Sequence, residues 1–200
     1  MRTVTRALNT LLLAGLLTAV STLATAQEAL PDGQSITPTA APGAVFSLLN
    51  PGLADYPDFT AGQAVTSTVS PDGTTLLVLT SGYNRNFDAN GKVIARDSNE
   101  YVFVFDITSG APVQKQVIQV PNTYGGIAFA PDSTHFYVSG GKDDSVHTYA
   151  QIDGNWAESG NPIALGHNRG NGLPQGPNSV SPAAAGLAVT ADGKTIVVAN

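Results

Sequence analysis

The side chains able to do chemistry are few. The chain holds 3 histidines and no cysteine, so disulfides and thiolate metal sites are impossible. His135 and His147 stand in apolar, strand-like runs and read as ordinary sheet residues. His167 differs, because Gly166-His167-Asn168-Arg169-Gly170 lies in a long connection. There an imidazole could serve as a ligand or a base, although a loop histidine without a visible partner also reads as a plain polar residue. Lys142-Asp143-Asp144 places two carboxylates in a tight turn. Adjacent aspartates point in different directions, so they are either solvated or supply one ligand to a divalent ion. His167, Asn168, Arg169, Asp143 and Asp144 are therefore the candidate ligand-binding residues. No catalytic constellation and no metal set are assigned.

Two other stretches imitate known sites. Asp88-Ala89-Asn90-Gly91 looks like the opening of a calcium loop, but its twelfth position falls on Asn99, with Glu100 one place late. The bidentate carboxylate is out of register. A hairpin fits better, with Asn90-Gly91 as a two-residue turn between 86–89 and 92–95, since both residues tolerate positive φ. The Gly-rich run 170–176 contains no phosphate-binding loop, dinucleotide fingerprint or serine-hydrolase elbow.

These residues must be positioned by a repeated element. Val69-Ser70-Pro71-Asp72-Gly73-Thr74-Thr75-Leu76, Phe129-Ala130-Pro131-Asp132-Ser133-Thr134-His135-Phe136 and Val189-Thr190-Ala191-Asp192-Gly193-Lys194-Thr195-Ile196 share one strand-turn-strand shape. Their turn aspartates are 60 and 60 residues apart. A period of this size marks an array or a propeller. The first unit supplies strand a over 64–70, b over 75–80, c over 101–107 and d over 113–120. The second supplies a over 126–130, b over 135–139, c over 145–150, a turn over 151–155 and d over 156–164. The third supplies only 186–190 and 195–200. Leu76-Leu77-Val78-Leu79 is apolar on both faces, which implies cover on both sides, as when one blade packs between two others.

The expected fold is therefore all-β: a partial propeller of about two and a half four-stranded blades (63–120, 121–164 and an incomplete 165–200). Rings of this kind need ~4–8 blades, so the sequence reads as a truncated piece of a longer, seven-bladed protein. The tight connections are a–b and c–d. The long ones, 81–100 and 165–185, are b–c and d–a, and in an up-and-down blade these emerge at one end. A ligand site is expected there. The third unit should leave Ile196-Val197-Val198 as an open, apolar edge.

Composition sets further bounds. Charged residues are 12% of the chain, with 21 glycines and 13 prolines, which suits a turn-rich β protein. Net charge is −6 and no basic run occurs, which argues against a duplex nucleic-acid binder. Arg2 and Arg6, the apolar run 11–20 and Ala24-Thr25-Ala26 read as a signal peptide cleaved before Gln27. The apolar run is about half the ~20 residues of a membrane span, so a periplasmic or secreted protein free of the membrane is expected. Residues 27–62 are broken by prolines. Only 43–49 could form a strand there, one suited to closing a ring's last blade in the manner of such folds.

Tyr137-Val138-Ser139-Gly140 followed by Asp144-Ser145-Val146, and Val197-Val198-Ala199-Asn200, resemble the YVTN repeats of YncE-like and lactonase-like propellers. Leu30-Pro31-Asp32-Gly33-Gln34-Ser35-Ile36-Thr37-Pro38-Thr39-Ala40-Ala41-Pro42-Gly43, with Pro162-Ile163-Ala164-Leu165-Gly166-His167-Asn168, narrows the likeness. It resembles exported bacterial proteins in which a YncE-like propeller precedes a phosphoesterase domain of the alkaline-phosphatase type. The likeness covers about 28–200, apart from an insertion at 83–100 and an end inside a blade. It implies a binding face for a small molecule or for the protein's own downstream domain. Divalent metal and hydrolysis would belong to that downstream part, and no cofactor is implied within these residues. A lactonase-like hydrolase with its site in further blades is the alternative.

Overall fold

The computed structural model describes residues 28–29, 35–36, 47–62, 64–81, 84–167 and 183–200. The chain divides into two units, 1–42 and 43–200. In the first, β1 (Glu28–Ala29) and β2 (Ser35–Ile36) pair antiparallel. The expected leader over 1–26 lies outside the described residues. The expected strand over 43–49 is not formed across its described part: residues 47–49 are irregular, and the Leu49 carbonyl accepts a bond from the Ala61 N–H at 2.7 Å.

The second unit is all-β, with one short 3-10 turn at Ala95–Asp97 and no α-helix among the described residues. Its first sheet is β3 (Ala64–Val69), β4 (Thr75–Thr80), β5 (Glu100–Asp106) and β6 (Val113–Val120), in that spatial order and antiparallel throughout. Each strand is rich in β-branched or aromatic residues, which pack well on a pleated surface. The two-sided cover expected of β4 is present. Leu77 and Leu79 join one core, while Leu76 and Val78 pack on another with Tyr101, Phe103 and Phe105. Among the described residues the second cover comes from Leu49, Phe59 and Ala61 of the irregular segment and not from a neighbouring blade.

The second sheet is β7 (Ile127–Phe129), β8 (His135–Ser139), β9 (Ser145–Ile152) and β10 (Asn155–Glu158), with β11 (Ile163–Ala164) also on β9. The fourth strand, expected to be continuous over 156–164, is therefore in two pieces. Gly160 lies at φ +77° and Pro162 has no N–H to give the ladder, so the chain leaves the sheet and rejoins it. The turn expected over 151–155 tightens to two residues. Asp153 and Gly154 lie at φ +51° and +81°, as a type I′ hairpin requires, and Ile152 pairs Asn155. The third sheet is β12 (Leu187–Val189) and β13 (Ile196–Val198). Val197 is exposed, and β13 has a strand partner on one side only among the described residues.

The sheets stand side by side like blades. Their first strands β3, β7 and β12 are neighbours, and β6 lies beside β10. Between the first two sheets is a core of Leu77, Leu79, Val102, Val104, Ile118 and Val120 from one side. Ile127, Phe129, Phe136, Val138, Tyr149 and Trp156 come from the other. Phe136 is fully buried, stacked on Tyr149 at 4.8 Å and tilted against Trp156 at 5.0 Å. The a–b turns repeat one device: the carboxylates of Asp72, Asp132 and Asp192 accept bonds from the N–H two residues on, at 3.0, 2.8 and 3.1 Å. The described residues form a row of blades and do not close a ring.

Candidate functional site

Register decides where the connections emerge. In the first sheet Ala64 pairs Thr80 and Glu100 pairs Val120, so the b–c and d–a connections leave from one end. In the second, Ser139 pairs Val146 and Ala164 pairs Ser145 at the corresponding end. The loops of the two blades then meet. Ser81 Oγ donates to the Thr123 carbonyl at 2.8 Å, and Asn122 Nδ2 donates to Asp143 Oδ2 at 2.6 Å. A groove of about 700 Å³ opens between them, lined by Ser81, Arg85, Glu100, Asn122, Tyr124 and Lys142 among others. Tyr124 is half exposed in it. Burial raises the Glu100 carboxyl above its ordinary range, with Asp143 adding to the rise and the Lys142 ammonium opposing it.

The candidate pair Asp143 and Asp144 does split its work as adjacent aspartates should. Asp143 turns toward Asn122. Asp144 sits at φ +53° with a side chain only 1% exposed, and holds His167 through both the ring and the main chain. His167 Nδ1 lies 2.9 Å from Asp144 Oδ1, and the His167 N–H donates to the other carboxylate oxygen. Asn200 joins them: its Nδ2 is 2.8 Å from His167 Nδ1, while its Oδ1 accepts from the Ala183 N–H at 2.9 Å. Leu165 N–H donates to the Asp144 carbonyl and Ala184 N–H to that of Gly141. One buried carboxylate thus ties together the b–c turn of the second blade, the following d–a connection and the end of the third. His167 therefore has the partner that its sequence context did not reveal. Asn168 and Arg169 lie outside the described residues.

The 86–95 hairpin forms, but with a three-residue loop rather than two. Gly91 is at φ +75° and its N–H donates to the Asp88 carbonyl at 3.0 Å, whereas Asn90 stays at negative φ. The Asp88 carboxylate stabilises this loop by accepting from the N–H groups of Asn90 and Lys92, each at 2.9 Å. That oxygen is committed to its own backbone. Among the described residues no three His, Asp or Glu side chains gather as a metal-binding set.

Sequence reasoning missed Asn122, Asn200 and Glu100. Asn200 carried a signal, since it closes the Val197-Val198-Ala199-Asn200 unit. Asn122 and Glu100 carried none, because their roles depend on which loop lies opposite. His147 does stand in a strand as expected, but its ring bridges two polar side chains.

No protein-family model matches the chain, and no curated protein matches it. Among solved structures the chain is similar to the hydrazine synthase of Kuenenia stuttgartiensis, with 19% identity and a TM-score of 0.38. The match covers 65% of this chain and 35% of that one, and at so low a score it carries no argument about fold or function.

Proposed function

We propose that this chain is a binding module of the propeller kind, which takes a small ligand or a partner domain at its b–c/d–a end. One observation carries the reading. Among the described residues, buried polar side chains concentrate at that end: Thr80, Ser81, Asn84, Asn86, Thr123, Ser139, Asp144, Ser145 and His147 all lie there, and only Ser70 lies at the other. Burying a polar group is unfavourable unless it is bonded, and several of these are bonded to loop backbone. Asn84 Oδ1 accepts from Gly62 N–H at 2.9 Å, Asn86 Nδ2 donates to the Asp97 carbonyl at 2.6 Å, and Ser139 Oγ accepts from Gly126 N–H at 3.1 Å. Long connections fixed in advance lose less entropy on binding.

The resemblance to propeller–phosphoesterase proteins suggests the partner: a phosphoesterase domain of the same polypeptide, with this module in the periplasm or outside the cell. The test is a backbone-resolved NMR titration of the chain with phosphomonoesters, and separately with a phosphoesterase domain of the alkaline-phosphatase type. Shifts at 84–100, 122–124 and 142–144 are expected. Shifts confined to the opposite turns, 71–74, 131–134 and 153–154, would remove the proposal.

A further inference from the structure

The face of β9 that turns toward the first blade carries Ser145, His147 and Tyr149 in a row, two residues apart. Glu158 of β10 pairs Tyr149 and reaches diagonally to His147. Ser145 Oγ is 3.1 Å from His147 Nε2, and His147 Nδ1 is 2.6 Å from Glu158 Oε1. A carboxylate only accepts, so Nδ1 carries the ring proton and donates it to Glu158. Nε2 is then the acceptor for the serine hydroxyl. Nucleophile, base and orienting acid stand within hydrogen-bond reach in the order that activates a serine.

We infer that Ser145 is a nucleophile toward small carboxylic esters, with His147 as its base and Glu158 holding the imidazole in the required tautomer. Ser145 and His147 belong to the buried polar set at the b–c/d–a end, but they stand on the β9 strand, so this role goes beyond ligand binding by the loops. Ser145 and His147 are 7% and 8% exposed, so only a small acyl group could reach the hydroxyl, while the Glu158 side chain is 45% exposed. Gly140 leaves the serine its place: a Cβ at that position would lie 2.2 Å from Ser145 Oγ and 3.3 Å from His147 Nε2. In the reaction Oγ bonds the ester carbon as its proton passes to Nε2. The tetrahedral centre then expels the alkoxide, which takes that proton from His147. Water, activated by the same imidazole, releases the carboxylic acid and restores Ser145.

The test uses the full chain and methanesulfonyl fluoride, small enough for so buried a hydroxyl, which forms an Oγ–S bond at an activated serine and releases fluoride. Peptide mass spectrometry should place the label on Ser145, and Ser145→Ala should abolish it. His147→Gln should slow labelling by ~10²-fold or more, the usual worth of a general base. Should that variant not fold, Glu158→Gln, on an exposed side chain, should slow it by at least ~10-fold. Circular dichroism checks the fold of each variant. The inference is overturned if the folded protein takes no label at Ser145. It is equally overturned if labelling proceeds at one rate in the wild type, in folded His147→Gln or Glu158→Gln, and in urea-denatured protein.

Discussion

The side-chain amide of Gln116 in β6 makes both hydrogen bonds of a strand pair with the backbone of Trp156 in β10. Its Nε2 donates to the Trp156 carbonyl at 2.7 Å, and its Oε1 accepts the Trp156 N–H at 2.8 Å. Outer strands of neighbouring blades are thereby joined without a continuous sheet. Trp156 is 5% exposed and packs edge-on against Phe129 at 5.9 Å, so the amide also sets the position of a core ring. Gln116→Leu fills the space but leaves two backbone groups without partners. It should lower stability by about 1–3 kcal/mol in urea unfolding.

Phe136 is the centre of that core, with no exposed surface and three ring neighbours, Phe129, Tyr149 and Trp156. Phe136→Ala should cost about 3–5 kcal/mol by the same measurement. Phe87, half exposed on the 86–95 hairpin, is the control: Phe87→Ala should change stability by less than about 0.5 kcal/mol.

Gly126 stands where the second and third blades approach. A Cβ there would lie 2.1 Å from the Ala185 carbonyl oxygen and 2.7 Å from Ser139 Oγ. The first of these is backbone and cannot swing aside. Gly126→Ala should therefore destabilise the chain by about 1–3 kcal/mol. The loss should be accompanied by amide-exchange changes at 184–186.

Asp144 predicts a local effect rather than a global one. Its carboxylate accepts the His167 N–H and lies beside the ring nitrogen. Asp144→Asn keeps the size and removes the charge. The His167 amide should then exchange about tenfold faster, the counterpart of ~1.4 kcal/mol for one weakened charge-assisted bond. Amides of β4 and β5 should be unchanged.

The turn aspartates predict an acid limit. Asp72 is held below the ordinary carboxyl value of 3.8 first by the Ser70 hydroxyl, Asp132 by the Thr134 N–H and Asp192 by the Thr190 hydroxyl. A carboxyl lowered in the folded state contributes stability that is fully present above its unfolded value and is lost as pH falls through the folded one. The Tm should thus be level from about pH 5 to 7 with respect to these groups and fall below about pH 4. Replacing all three by Asn should lower the Tm at pH 7 and make its acid decline shallower.

The strands were legible because their causes are local. A two-residue alternation, a β-branched run or a Pro-Asp-Gly turn acts within a few residues, so β4, β6 and β8 begin and end where the side-chain pattern says. The tight turns were legible for the same reason, since the carboxylates of Asp72, Asp132 and Asp192 bond within their own turns and to residues next to them. The end of the blade from which the long connections leave follows from counting antiparallel strands.

What only the tertiary structure decided is every contact set by cross-strand register and by which loop faces which. The second cover of β4 is the segment around Leu49 and Ala61, which no periodicity singles out. Glu158 reaches His147 because β10 runs on to the position opposite Tyr149, and the chain leaves the sheet there before β11. Asp144 meets His167 and Asn200 from 23 and 56 residues away. Apolar pattern fixes which face of a strand is buried, since that depends on the residue's own chemistry. Partnership between polar side chains depends on the positions of two distant backbones at once, and that is settled only when the blades have packed.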